Sequence, residues 1–130
     1  MKEPFWVLPE VVGSIHGRQL AEHGGVEGIR DAGLLASALD KPKNLFFYGG
    51  EERDIPDLAA SYASGIIKNH PFVDGNKRTA FVTCRLFLHI NHLLLTAPQT
   101  EKYLNFVGLA SGKISDAEFA FWLRNHCEHT

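Results

Sequence analysis

The chain has 130 residues, of which 45% are hydrophobic and 22% charged, with a net charge of −2 at neutral pH. That length implies a single domain over residues 1–130, and that composition supplies a core rather than a disordered chain. The near-neutral charge gives no electrostatic case for DNA or RNA as a partner. Two cysteines, Cys84 and Cys127, do not make a disulfide scaffold, and a cytoplasmic location is expected. MKEPFWVLPE at the start has no apolar run of signal-peptide length. The most apolar stretch, Phe81 to Leu95, is interrupted by Arg85, His89, Asn91 and His92, so no membrane span is expected.

Taken in order, the pattern is mostly helical. Pro9 opens a first helix whose apolar stripe runs Leu8, Val11, Val12, Ile15 and Leu20, and Gly24 with Gly25 closes it. A short extended piece follows over Val26 to Arg30. Asp31 caps a second helix that buries Leu34, Leu35, Ala38 and Leu39 and stops at Pro42. The stretch from Asn44 to Arg53 has little periodicity. Its Gly49–Gly50 pair marks a turn, which makes it the one region that invites a hairpin or flap. Phe46, Phe47 and Tyr48 within it read either as core or as a flap that pairs with a target peptide.

Asp54, with Pro56 behind it, starts a third helix that reaches about His70 and carries Leu58, Ala59, Tyr62 and Ile66. A fourth starts near Asn76. Its stripe of Ala80, Thr83, Cys84, Phe87 and Leu88, and its apolar character on most sides, predict the central helix. Thr100 caps a fifth helix with Tyr103, Leu104 and Val107, which Gly112 ends. Ser115 and Glu118 have the spacing of a capping box for a last helix burying Phe119, Trp122 and Leu123. Trp6, Trp122 and Phe121 read as packing residues.

The chemistry is concentrated in HPFVDGNKRTAF, His70 to Phe81. A helix start leaves backbone N–H groups unpaired at the positive end of the macrodipole, which is a phosphate site. Gly75 lets the backbone approach an anion or take positive φ. Asn76 either caps the helix or bonds a phosphate oxygen. Lys77 and Arg78 add charge, and the Arg fork suits phosphate oxygens. Such cations are misplaced at a helix start unless an anion binds there, by about 0.3–1 kcal/mol each. Asp74 is a hard oxygen ligand suited to magnesium accompanying a nucleotide. Imidazole exchanges protons near neutral pH, which makes His70 the candidate base for a hydroxyl nucleophile. Phe72 is expected to plug into the core. Lys68, two residues before His70, can reach the same pocket, although a solvated surface lysine is the plainer reading.

This segment resembles the signature of the Fic/Doc superfamily, roughly H-x-F-x-[DE]-G-N-G-R-x-x-R, at His70, Phe72, Asp74, Gly75, Asn76 and Arg78. Lys77 stands where the AMP-transferring members have glycine, and Phe81 where they have the second arginine. Both departures are similar to the death-on-curing (Doc) branch, H-x-F-x-[DN]-[AG]-N-K-R-T-A. RDAGLLASALDKP, Arg30 to Pro42, resembles that branch too, as does GLASGKIS more weakly.

The resemblance implies an all-α fold of about six helices around a central helix, with a flap or hairpin beside the active site. It implies a toxin that transfers the γ-phosphate of ATP, with magnesium, to a Thr or Ser of elongation factor Tu. His70 and Asp74 would then be catalytic, Asp74 the metal ligand, and Gly75, Asn76, Lys77, Arg78 and Lys68 the nucleotide-binding residues. No inhibitory [ST]-x-x-x-E-[GN] segment occurs, so the resemblance implies inhibition in trans by an antitoxin whose disordered tail folds on binding.

Rival readings are an AMP-transferase, against which Lys77 and Phe81 speak, and a non-catalytic binding module, against which the intact motif speaks. A metal-dependent hydrolase is a third, built on His89 with His92 and His126 with His129 at one-face helical spacing.

Overall fold

Side-chain capping sets the starts of three helices. In the computed structural model, which describes residues 1–49 and 52–130, α1 spans Pro9–His23, α2 Ala32–Tyr48, α3 Ile55–Asn69, α4 Asn76–Ile90, α5 Gln99–Ser111 and α6 Asp116–Asn125. Asp31 caps α2 by accepting the Leu34 amide at 2.9 Å. Asp54 with Asp57, and Ser115 with Glu118, form reciprocal capping boxes on α3 and α6. Gly24 at φ 77 and Gly112 at φ 82 end α1 and α5 in conformations that cost glycine little. Among the described residues there are six helices and two three-residue strands, β1 (Leu93–Leu95) and β2 (Cys127–His129). The strands pair antiparallel, with Leu94 opposite Glu128. No helix of the described residues is long and apolar enough to cross a membrane.

The central helix is α3, not α4. From Pro56 to Ile66 every residue of α3 except Asp57 is buried, and α2, α4 and α6 pack around it. Its many small residues (Ala59, Ala60, Ser61, Ala63, Ser64 and Gly65) explain this, because they let three helices approach on different sides. In α4 burial is confined to one face, the expected Ala80, Thr83, Cys84, Phe87 and Leu88 with Asn76 and Thr79. Fully burying Leu58, Ile66 or Phe87 contributes roughly 1.5–3 kcal/mol each. Arg124 near the end of α6 ties back to the start of α3 through ion pairs with Asp54 and Asp57.

Several expectations are corrected. Helix α2 does not stop at Pro42 but runs through it to Tyr48, so the hairpin expected from Asn44 is absent as far as Tyr48. Gly50 and Glu51, the rest of the expected turn, lie outside the described residues. Pro42 withdraws the N–H that Ala38 O would accept. That carbonyl faces Gly65, where an added Cβ would meet it at 3.1 Å. The proline ring is buried in this close α2–α3 contact, which sustains the helix through it.

The strands lie at Leu93–Leu95 and Cys127–His129, where neither length nor alternation signals them. Helix α5 begins after Pro98 with no side-chain cap, so Thr100 is not its cap. It buries Phe106 and Leu109, and leaves Tyr103, Leu104 and Val107 exposed. Both faces of α5 are apolar, and the winning face is the one whose Phe106 ring meets Phe81 and Phe119 edge-on. Leu8 just before α1, Val11 of α1 and Phe121 of α6 are likewise exposed. Trp6 packs as expected, stacked on Phe87 and edge-on to Phe46.

Candidate active site at the start of helix α4

Proline at position 71 cannot continue α3, and the helix ends with His70 in the left-handed conformation, φ 50 and ψ 54. For a non-glycine residue this conformation costs roughly 1–2 kcal/mol. Arg30 offsets it: Nε donates to the His70 carbonyl at 2.7 Å and Nη2 to the Asn69 carbonyl at 2.8 Å. The guanidinium satisfies the last carbonyls of α3 at the negative end of its dipole. Asn69 in turn donates from Nδ2 to the Leu34 carbonyl, linking the same corner to α2. The His70 side chain is exposed.

The loop Pro71–Gly75 lies along the extended piece predicted over Val26 to Arg30. Ile29 and Phe72 form an antiparallel bridge, Arg30 and Asp31 amides donate to the Pro71 carbonyl, and the Val73 amide donates to Gly28. Phe72 is buried as expected, 1% exposed, with its ring stacked on His16 at 3.8 Å between centroids and 9° between planes. The exposed Asp74 carboxylate takes the Val26 amide on Oδ2 at 3.2 Å and the Gly75 amide on Oδ1 at 3.0 Å. An added Cβ at Gly25 would lie 3.0 Å from the same carboxylate, so glycine there permits the close approach.

Helix α4 then starts from Gly75 at φ 78, with no side-chain cap and no acid in its first turn. Asn76 does not cap α4, one of the two roles expected of it. It is buried, with Oδ1 accepting the Phe72 amide at 3.0 Å and Nδ2 donating to the Phe72 carbonyl at 2.9 Å, so its amide braces the loop. The backbone amides of Asn76, Lys77 and Arg78 have no acceptor among the described residues. The Lys77 and Arg78 side chains are exposed and have no ion-pair partner among the described residues. Three free donors and two free cations at a helix start are the ingredients of an anion site.

Two other cations near the motif are committed elsewhere. Lys68, expected at the phosphates, bonds Asp116 Oδ1 at 3.1 Å, in a cluster with Lys41 that ties α2 and α3 to α6. Arg85 lies over the Phe81 ring at 5.5 Å. The histidine pairs do not make metal sites. His92 lies past the end of α4 at φ 68, and His129 sits on β2, so neither pair shares a helix face. No cluster of three or more His, Cys, Asp or Glu occurs among the described residues. Cys84 is 1% exposed, and burial together with Cys127 pushes its thiol well above the ordinary range, which leaves it a packing residue.

Two site residues escaped the sequence reading, His16 and Arg30. His16 is 7% exposed, and its Nε2 donates to the Asp74 carbonyl at 2.8 Å. The signal in the sequence was its place on the apolar stripe of α1, midway between Val12 and Leu20 at helical spacing. His16 also floors a hollow of about 350 Å3 edged by Gly17, Leu20, Gly25 and Gly28, next to the α4 start. A larger hollow, about 430 Å3 between α5 and α6, contains none of the motif residues.

The site is thus assembled from α1, the Gly25–Arg30 segment and the His70–Arg78 segment. Over 119 residues the chain is 29% identical to the protein named "Protein kinase doc" of Escherichia phage P1, covering 91% of this chain and 92% of that protein. Over 74 residues it is 39% identical to "Toxin Doc" of Mycolicibacterium smegmatis, covering 57% of each. The match therefore spans just over half the length of the mycobacterial relative and nearly all of the phage one. The model of the Fic/DOC family matches residues 6–88, from the start of the chain through most of α4 and so through every segment that builds this site; the chain belongs to that family.

Proposed function

We propose that the protein is the toxin of a type II toxin–antitoxin pair, acting in the cytoplasm as a protein kinase. It moves the γ-phosphate of ATP to a Thr or Ser hydroxyl of a translation protein, elongation factor Tu, and an antitoxin restrains it in trans. The observation that carries the phosphate reading is the α4 start. Free amides of Asn76, Lys77 and Arg78 and two unpaired cations stand in the same loop system as His70. The names of the two relatives, a toxin and a protein kinase, support the toxin and kinase parts.

The chemistry follows from these positions. His70 takes the proton of the target hydroxyl. That oxygen bonds to the γ-phosphorus, the bond from this phosphorus to the β–γ bridging oxygen breaks, and ADP leaves. Positioning and charge neutralisation dominate such transfers, and Gly75 to Arg78 supply both. Asp74 fits magnesium, because its exposed carboxylate keeps lone pairs beyond the two amides it accepts. A single carboxylate, outside any acid cluster among the described residues, suits an ion held otherwise by phosphates and water. When bound, that ion neutralises charge on the phosphates. Phe81 packs into Phe106 and beneath Arg85, so an aromatic contact occupies the place of the second phosphate clamp of AMP-transferring relatives.

The test is the mass of purified elongation factor Tu after incubation with the protein, ATP and magnesium. One added phosphoryl group, abolished or reduced about 10²–10⁴-fold by His70→Ala, is the expected result. An added AMP unit, or phosphorylation undiminished in His70→Ala, would overturn the assignment.

A further inference from the structure

We propose that His16 is a positioning residue for the phosphate site, and that it acts by orienting the Asp74–Gly75 peptide. The inference rests on the reading that the α4 start grips phosphate. Carbonyl oxygens only accept, so the 2.8 Å contact requires the proton on His16 Nε2. The peptide is planar and trans, so fixing its carbonyl toward α1 turns the Gly75 N–H to the opposite side. There it meets Asp74 Oδ1 at 3.0 Å. One bond from α1 therefore sets the direction of the Gly75 amide, which together with the Val26 amide aims the carboxylate.

Two further contacts hold the imidazole in place. Its face stacks on Phe72, which Asn76 pins by both backbone groups. Its edge lies against the Gly75 α-carbon, where an added Cβ would be 3.6 Å from Nε2. Protonation of the ring keeps the Nε2 donor, so the bond persists in either charge state. The residue lies 58 positions before the peptide it orients, and this is its one side-chain hydrogen bond among the described residues.

The experiment separates donor from ring. His16→Gln retains an NH₂ donor of similar reach without the aromatic face, and His16→Phe retains the stacked ring without the donor. Nitrogen NMR of the histidine-labelled wild-type protein should show the neutral ring protonated at Nε2. Binding of Mg·ATP, measured by calorimetry, should weaken about tenfold in His16→Phe and by less than about threefold in His16→Gln. The Gly75 amide resonance should move in His16→Phe and stay near the wild-type position in His16→Gln. A purely structural residue would give the reverse order, with His16→Gln the worse variant in melting and binding alike. The inference is overturned by an Nδ1-protonated neutral ring, or by folded His16→Phe binding Mg·ATP as wild type does. Wild-type protein that binds no Mg·ATP removes the phosphate reading itself, and this inference with it.

Discussion

Replacing Asn76 by alanine removes two hydrogen bonds at once. Both run to Phe72, both are buried, and both hold the loop between α3 and α4. Alanine leaves the Phe72 N–H and C=O unpaired in a region where the Phe72 side chain is 1% exposed. A buried backbone group stripped of its partner costs about 1–3 kcal/mol, so the pair predicts a loss of roughly 2–5 kcal/mol, the upper end requiring that no water enters. Against a typical domain stability of about 5–15 kcal/mol, this is a large fraction. Urea unfolding of Asn76→Ala should therefore show a lower midpoint with an unchanged slope. Asn76→Asp offers a second test, because its carboxylate can still accept the Phe72 amide but repels the Phe72 carbonyl. It should be at least as unstable as alanine above its ionisation and recover on acidification. A loss below about 0.5 kcal/mol in Asn76→Ala, with the slope unchanged, would refute the bracing role and return Asn76 to the phosphates.

Two other perturbations test the supports of the site and of the fold. Arg30→Ala should cost only about 1 kcal/mol in stability, since its bonds to the Asn69 and His70 carbonyls are exposed. It should slow transfer about tenfold or more by releasing His70, Arg30→Lys should fail to restore the rate because one ammonium cannot span both carbonyls, and wild-type transfer by Arg30→Ala would refute the clamp. Acid should weaken the α3–α6 tie. Burial alone would raise the Asp54 carboxyl, but hydrogen bonds from Arg124 and from the Asp57 amide outweigh it and hold Asp54 down at about 2, while burial and the neighbouring Asp54 push Asp57 up. A depressed folded-state carboxyl contributes stability above its ordinary ionisation near 3.8 and loses it as pH falls toward about 2. The melting temperature should drop between about pH 4 and 2 more steeply in wild type than in Arg124→Gln, and parallel profiles would refute the assignment. The difference should be modest, because these side chains are partly exposed.

What could be read in advance divides along physical lines. Helix starts at Asp31, Asp54 and Ser115 were legible because a short polar side chain capping an amide is a local interaction written within four residues. The α4 stripe was legible because burial on one side leaves a 3.6-residue period. Pro42 was misread because the local penalty of an internal proline is overridden by a tertiary contact, the close approach of Ala38 to Gly65. The strands were missed because three residues are too few for alternation, and their pairing joins positions more than thirty residues apart. Tyr103, Leu104 and Val107 were assigned to the core because periodicity identifies an apolar face without saying whether another element covers it.

The site shows the same division more sharply. His70, Asp74, Gly75, Lys77 and Arg78 lie within nine residues, so their types and spacing alone suggest a base beside an anion-binding helix start. What orients them is spelled differently. Arg30, His16 and Val26 act on backbone carbonyls or through a backbone amide, and such contacts impose little on the residue they meet. Asn76 shows how a motif residue can carry a role its type does not spell: its amide suits a phosphate oxygen and a peptide equally, and its two bonds to the Phe72 backbone appear only in the structure. Once Asn76 and Lys68 are spoken for, the side-chain charge at the α4 start reduces to Lys77 and Arg78, with the rest of the anion-binding capacity in the main chain. The precision of such a site then depends on how firmly the peptides from Phe72 to Gly75 are held. That places functional weight on the residues that hold them, among them His16, Val26, Gly28 and Asn76, as much as on the cations that face the ligand.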